Sequence, residues 1–428
     1  MKKIIASAGL AAVGVAGLQA QNYGDLTPEQ MSKRWSVSAA VRGFYDDNYT
    51  TRPSGRDPVT GQDLKRDSFG FEFSPSAHFN VPMETSFFGL TYIYSLLYFE
   101  DRDSDEFDQS HDVRLNFDHR FSERYRVNLR DQFVYSIEPT LLAQEATVTV
   151  PLRSDAEGLH NRALLTFDAE LTREWALRLS YANDYYDYQD SGPGSYSALL
   201  DRVEHAIRVD PRYVLNPSTT AFAGYQFGFS DYLSSEAIAF DVLGNVTLRG
   251  EDRTSLSHAF YVGAEHQFTS TLTAEGRAGA KYRDYTELDQ DDLGPYVDIT
   301  GTYKYLPGSS VRVGVKYDNN ATDIAQVGTD PTDVTLDQDT VTGYVSVNHR
   351  ITALMTAGLL AQYQHSTFNG GPSDGDADDY LTMALNVAYK LHKNWSVEAS
   401  YFLDHLSSDV DGREFTRNRV FAGVRGTY

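Results

Sequence analysis

The chain has 428 residues, 37 Lys+Arg against 60 Asp+Glu for a formal net charge of -23, and no Cys. A mean hydropathy of -0.43, with no apolar run of about 20 residues, excludes a helical membrane protein. The missing Cys excludes disulfide scaffolds, thiolate metal sites and cysteine nucleophiles, and the acidity argues against a nucleic-acid binder, which needs a basic footprint.

At the N-terminus, Lys2 and Lys3 precede an apolar stretch from Ile4 to Leu18, and small residues run on to Ala20. This is the layout of a secretory signal peptide, so residues 1–20 are assigned to export, with cleavage expected after Ala20. Thr27-Pro28-Glu29-Gln30 reads as an N-cap, a Pro at the first helical position and the start of a short helix to about Arg34. Residues 21–34 are read as a short periplasmic tether, and 35–428 as one folded unit.

From Trp35 onward, apolar and polar residues alternate with period two. Val311, Val313, Val315 and Tyr317 enclose Arg312, Gly314 and Lys316; Trp395, Val397, Ala399, Tyr401 and Leu403 enclose Ser396, Glu398, Ser400 and Phe402. One face of each segment is continuously apolar and the other small, polar or charged. The segments reach roughly ten residues, enough to cross a bilayer at a tilt, where strands of soluble sheets average about five or six. Short joins recur at Pro82-Met83-Glu84, Ser122-Glu123-Arg124, Thr172-Arg173-Glu174, Asn216-Pro217-Ser218, Thr269-Ser270, Pro307-Gly308-Ser309, Ile351-Thr352-Ala353 and His392-Lys393-Asn394. Between them lie longer acidic stretches near 50–66, 101–108, 137–159, 190–201, 235–254, 288–293, 322–338, 369–378 and 408–413. Nine long loops alternating with eight short turns predict an all-β, transmembrane, antiparallel up-and-down β-barrel of about 18 strands (16–20), with tight periplasmic turns and long external loops. Three turns share one design: His119-Arg120-Phe121-Ser122, His266-Gln267-Phe268-Thr269 and His349-Arg350-Ile351-Thr352.

Because no water reaches backbone amides in hydrocarbon, such strands must close on themselves, with their apolar faces toward lipid. Trp35, Trp175 and Trp395 stand beside expected periplasmic ends, as girdle aromatics do. The final alternating strand closes the chain on Tyr428, which resembles the assembly signal of bacterial outer-membrane barrels. One segment resists: the outward register of Tyr125, Val127, Leu129, Asp131, Phe133 and Tyr135 turns Asp131 toward lipid. A bulge, or a position near the rim, would relieve it.

The opposite faces define a wet lumen. Its lining candidates are Arg114, Arg120, Arg126, Arg130, Arg208, Arg277, Lys281, Arg312 and Lys316, faced by Asp168, Glu170, Glu265 and Glu398. The wall is expected to be mixed but tilted positive, with the excess negative charge in the loops. Opposed rings of charge set selectivity in channels, so the expected function is passive diffusion of small hydrophilic solutes with a weak preference for anions. Two long loops carry apolar pieces, Leu141-Leu142-Ala143 with Thr147–Val150 and Ala237–Phe240 with Val242-Leu243, and one of the two is expected to fold inward or pack across the mouth. Glu138, Glu145 and Arg153 are the constriction candidates.

Catalytic signatures are missing: there is no G-x-S-x-G, H-E-x-x-H or Walker-type loop, and Ser110-His111-Asp112 are consecutive, the wrong arrangement for a triad assembled in space. No enzyme activity, cofactor or metal site is expected, and Asp374-Gly375-Asp376-Ala377-Asp378-Asp379 lacks the Gly and distant Glu of an EF-hand loop. The expected partners are outer-membrane lipid and lipopolysaccharide, small hydrophilic solutes or polysaccharide, and the barrel-assembly machinery, with no nucleic acid.

The run Tyr92 through Tyr98, the acidic Asp101–Asp108, and then His111-Asp112-Val113-Arg114-Leu115-Asn116-Phe117-Asp118-His119-Arg120-Phe121-Ser122-Glu123-Arg124 resemble the Putative beta-barrel porin (type 2) family of Gram-negative bacteria. The similarity spans essentially the mature chain and rests on pattern rather than on a diagnostic motif. It implies an outer-membrane barrel and, for some relatives, a part in exopolysaccharide export; it carries over no site residues. A barrel component of polysaccharide export would call for lumenal aromatic platforms, for which Phe44, Tyr261, Tyr344 and Phe402 are the inward candidates. A non-conducting structural barrel is the third reading.

Overall fold

The computed structural model describes residues 33–428 apart from 58–60, 138–156, 194, 241–242, 289, 323 and 325–334. The expected signal peptide, and Glu138, Glu145 and Arg153, lie outside the described residues.

Alternating side chains give each segment one greasy and one polar face, which only an extended backbone can separate cleanly. The chain accordingly runs up and down through β1 (Trp35–Asp46), β2 (Ser68–Pro82), β3 (Ser86–Phe99), β4 (Phe107–Arg120), β5 (Tyr125–Ser136), β6 (Gly158–Glu170), β7 (Trp175–Tyr188), β8 (Arg202–Asn216) and β9 (Thr219–Tyr232). A small loop hairpin follows, β10 (Ala237–Phe240) and β11 (Val246–Arg249). The series then resumes with β12 (Ser255–Gln267), β13 (Leu272–Tyr285), β14 (Asp291–Leu306), β15 (Ser309–Ala321), β16 (Asp337–Arg350), β17 (Met355–Asn369), β18 (Ala377–His392), β19 (Trp395–Ser408) and β20 (Phe415–Thr427). Eighteen of these strands form one sheet in which every strand pairs with its neighbours along the series, β9 pairs with β12, and β1 pairs with β20. The result is a closed antiparallel barrel of the expected strand number.

The eight expected tight turns are all present, at 83–85, 121–124, 171–174, 217–218, 268–271, 307–308, 351–354 and 393–394. In the two-residue turn after β14, Gly308 takes φ 77°, the left-handed conformation that a side chain disfavours. Two of the three His-containing turns share one arrangement. His119 bonds the Ser86 hydroxyl at 2.6 Å and His266 the Thr219 hydroxyl at 2.9 Å, each across to an adjoining strand, whereas His349 reaches past β15 to the Tyr305 hydroxyl of β14 at 2.8 Å. His119 and His266 also meet Phe121 and Phe268 edge-on, with ring centroids 4.4 Å apart in both cases.

The apolar faces point outward: Val313, Val315, Leu385, Val397, Val420 and Val424 are exposed, and so are Trp35, Trp175 and Trp395 beside their turns. Asp131 also faces outward, but neither expected relief applies. Strand β5 pairs with β4 and β6 in unbroken register, so there is no bulge, and Asp131 lies in the middle of the strand. Strand β4 divides Ser110, His111 and Asp112 between its two faces: Asp112 bonds the inward Arg114, while His111 bonds the outward Tyr92 hydroxyl at 2.9 Å.

Closure is fastened at the β20–β1 seam. Backbone pairing runs from Ser38↔Thr427 to Asp46↔Arg419 and is extended by Tyr428 donating its N–H to the Val37 carbonyl at 2.8 Å. On the inner side, Arg417 grips Asp46 at 2.7 and 3.0 Å, and both are buried. Removing one member of a buried pair strands the other's charge, which typically costs about 3–5 kcal/mol. Asp46→Ala should therefore lower the free energy of barrel unfolding in lipid vesicles by an amount of that order, read as a lower urea midpoint, whereas Asp411→Ala in an external loop should leave it unchanged.

Candidate functional site

The inner wall is the surface on which this fold concentrates its charge. Pairing register puts all the lining candidates on the face opposite the lipid-facing residues, and most of them meet a carboxylate on the same or the adjoining strand. Arg114 bonds Asp112 at 2.9 Å, Arg126 bonds Asp118 at 2.7 Å and Arg178 bonds Asp168 at 2.7 Å. Arg212 reaches Glu265 at 2.7 Å, Arg277 reaches Glu275 at 2.6 Å and Arg425 reaches Glu398 at 2.6 Å. Lys281 and Lys316 share Asp318, at 2.9 and 3.2 Å. Arg208 instead donates to the neutral amide of Gln226 at 2.7 Å. Arg120 and Arg126 stand opposite one another in the register next to the 121–124 turn, and Glu170 is exposed at the same end of β6.

The expected positive tilt is weaker than the sequence implied, because Asp46, Asp112, Asp184 and Asp318 also line this face. Sequence parity carried the signal. Asp112 is two residues from Arg114, and Asp318 two from Lys316, so each shares a face with its cation. Arg130 is different. Among the described residues it has no acidic hydrogen-bond partner; the positive charge of Arg126 bears on it, opposed by the negative charge of Asp118, and the positive charge of Arg312 acts less strongly. Arg312 lies on β15, nearly diametrically opposite β5 in the ring.

The wall has two sectors. On β16–β20 and β1–β3 the inward side chains are packed. Phe44 lies between Phe99 and Phe421, with ring centroids at 5.0 and 5.2 Å, and Leu360, Ala384 and Phe402 continue the same apolar row. Beneath that row, Arg42 and Glu72 form a buried pair at 2.6 Å. Near the periplasmic turns of β5, β6, β7 and β12, by contrast, some inward charges are wet: the side chains of Arg126, Arg178, Asp168 and Glu265 are 32%, 36%, 41% and 50% exposed. Arg202, Asp210, Arg212, Lys281 and Arg283, farther along the same strands or their neighbours, are buried. The four inward aromatics considered as platforms are sealed. Phe44, Tyr261, Tyr344 and Phe402 keep only 4–7% of their surface exposed, and the Tyr261 hydroxyl is spent on Asp210 at 2.5 Å.

The external mouth is partly covered. The β10–β11 hairpin buries Ala239 and Leu248 against Tyr285 and Leu336, with Ile238 and Leu288 alongside. Arg253, wholly buried, donates to the carbonyls of Leu199 and Thr322 at 2.8 and 3.3 Å. One guanidinium thereby ties three external loops together. A short helix, Tyr196–Leu200, completes this cover, with its first amides donating to Asp190 at 2.8 Å. Burial pushes the carboxyl of neighbouring Asp201 up to about 6.

Residues 245–339 and again 339–428 match the family model described as Putative beta-barrel porin 2. The family resemblance therefore holds over the C-terminal strands, and with the closed strand architecture it makes the chain a porin-like barrel of the bacterial outer membrane. No curated protein matches. Solved structures similar to this chain include OccAB4 of Acinetobacter baumannii (11% identity, covering 94% of this chain and 100% of that one, TM-score 0.44). OccK3 (OpdO) of Pseudomonas aeruginosa is similar at 12% identity, covering 96% and 99%, with TM-score 0.43. OccK9 (OpdG) of the same organism is similar at 14% identity, covering 92% and 98%, with TM-score 0.41.

Two outcomes follow from the cover. Arg253→Ala removes charge-assisted bonds of about 1.5–3 kcal/mol each, so hydrogen exchange at residues 195–201 and 246–254 should accelerate while that in β17 and β18 stays unchanged. Asp201 has a folded pKa above its unfolded one. Its contribution is therefore fully present below the ordinary carboxylate range and is lost as pH rises through about 6. Exchange around Tyr188 and Ser197 should quicken over that rise, and Asp201→Asn should flatten the response.

Proposed function

We propose that this porin-like barrel lets small hydrophilic solutes diffuse passively through its lumen, with a weak preference for anions. The observation that carries the reading is the group of inward charges near the periplasmic turns of β5, β6, β7 and β12, where Arg126, Asp168, Arg178 and Glu265 face inward and yet meet solvent. Ionic side chains there supply hydrogen-bonding groups that replace part of a solute's water shell at little cost. Most of the cations are balanced by a carboxylate within 3 Å, so the net field along the path is small and selectivity is weak. The preference for anions comes from Arg130, with the charges of Arg126 and Arg312 bearing on it. An anion lodged among these groups would relieve their mutual repulsion, whereas a cation would add to it.

Polysaccharide export is the weaker reading, because a sugar chain needs aromatic faces open to the lumen, and Phe44, Tyr261, Tyr344 and Phe402 are covered.

Planar-bilayer recording of the whole chain tests the proposal. Steady conductance with a reversal potential shifted modestly toward that of the anion is expected; a silent membrane would sink the channel reading. Neutralising Arg130 and Arg312 together (R130Q, R312Q) should move the reversal potential toward that of the cation. Lys316→Gln should move it less, because Asp318 keeps Lys281. If the arginine pair changes nothing, the preference does not arise there.

A further inference from the structure

The outward face carries histidine at two heights. His111, His205, His258 and His405 are the fourth or fifth residue from the external end of β4, β8, β12 and β19. His119, His266 and His349 are the last residue but one of β4, β12 and β16, at the periplasmic end. Strands β4 and β12 hold one of each kind, eight residues apart in both. Eight residues span about 27 Å along a strand, or about 20 Å of height at the usual tilt, near that of the apolar band. Between the two imidazoles the outward residues are apolar: Val113, Leu115 and Phe117 on β4, and Phe260, Val262 and Ala264 on β12. Among the described residues no outward histidine lies between the two tiers. They border the hydrocarbon on its two sides.

Each imidazole has one nitrogen engaged. Nδ1 of His111, His205 and His258 lies 2.9, 2.9 and 2.8 Å from the hydroxyls of Tyr92, Tyr181 and Tyr225. That of His405 lies 2.7 Å from the Thr416 hydroxyl. The periplasmic tier is met at the same atom by Ser86, Thr219 and Tyr305. At His205 the Asn183 amide also donates to Nδ1, at 3.2 Å, which marks that nitrogen as the acceptor. With the hydroxyls assigned as donors throughout, each neutral ring keeps its proton on Nε2. In none of these side chains does Nε2 have a hydrogen bond among the described residues, and none of them is buried. His365 falls outside the set. Its Nδ1 meets the Asp379 carboxylate at 2.8 Å, which can only accept, so its neutral ring has no proton left on Nε2.

An N–H at the border of the hydrocarbon faces the phosphate and ester oxygens of lipid headgroups, and the charged phosphate is the stronger acceptor. Strands β4, β8, β12, β16 and β19 are spread round the whole ring. One protein partner would not reach all of them, whereas lipid surrounds them all. We propose that the two tiers of outward histidines are docking points for the phosphates of membrane lipids, each Nε2 donating to a phosphate oxygen. Donors at both borders of the apolar band hold the barrel at one height in the bilayer, in concert with the Trp and Tyr residues at the same levels. The contact uses only the outer wall and is independent of what passes through the lumen.

Solid-state measurement of nitrogen–phosphorus dipolar coupling tests this on the full chain, isotope-labelled at histidine, in phosphatidylglycerol vesicles. Coupling to lipid phosphorus is expected at Nε2, and several-fold weaker coupling at Nδ1. No coupling at Nε2 would overturn the proposal. His111→Phe, His119→Phe, His258→Phe and His266→Phe together should lower the Nε2 signal about twofold, since distant sites add. Heat-modifiable mobility on gels shows whether that barrel folds. An unchanged signal from the folded variant would place the contacts at other histidines and overturn the assignment. In vesicles of a phosphate-free galactolipid with inorganic phosphate added, the unaltered chain should show no coupling. Equal coupling there would overturn the proposal in favour of free phosphate.

Discussion

A peptide group in hydrocarbon has only other peptide groups to bond, and the architecture of this molecule follows from that limit. Strands can satisfy it only by leaving no edge. The seam between β20 and β1 is therefore the interaction on which the rest depends. It is held by a nine-pair ladder from Ser38↔Thr427 to Asp46↔Arg419, a buried Arg417–Asp46 pair, and Trp35 against Tyr428 with ring centroids 5.7 Å apart. Once the ring is closed, alternation sorts every residue either toward lipid or toward the lumen, and a strongly acidic, polar chain can live in a membrane with only half of its strand positions apolar.

Closure also explains the character of the inner wall. Inward cations are crowded together at strand spacing, and packing on one side lowers the local dielectric, so charges without partners would repel strongly. Most of them are met by a carboxylate two residues along or one strand across, as Arg114 is by Asp112 and Arg425 by Glu398. The wall is thereby stiff and nearly neutral. The apolar row from Leu360 through Phe402 and Phe421 to Phe44 and Phe99 fills one sector, and Phe222, Tyr261 and Tyr296 form a second buried cluster elsewhere on the wall. The pairing is incomplete at Arg130, which has no acidic hydrogen-bond partner among the described residues.

The turns, the strand number and the outward Trp residues could be read from the chain directly, because each is a local property: a short polar join, a period of two, a bulky residue beside a turn. The inward parity of Arg312, Lys316 and Glu398 was legible for the same reason. The partners were not. Nothing local says that Arg417 meets Asp46, which is 371 residues away, or that Arg253 reaches the carbonyls of two other loops. The reliefs expected for Asp131 failed for a related reason. A bulge and a rim position are both local remedies, whereas the register of β5 is imposed by β4 and β6 on either side.

By itself, then, the sequence determined that the chain is a membrane barrel, how many strands cross, and which side chains turn inward, since alternation and loop length act over a few neighbouring residues. The tertiary structure alone decided which charges cancel, which sector of the lumen is filled, and where polar groups are left facing lipid. Those outcomes depend on the register between strands and on distances across the ring, which exist only once the barrel has closed.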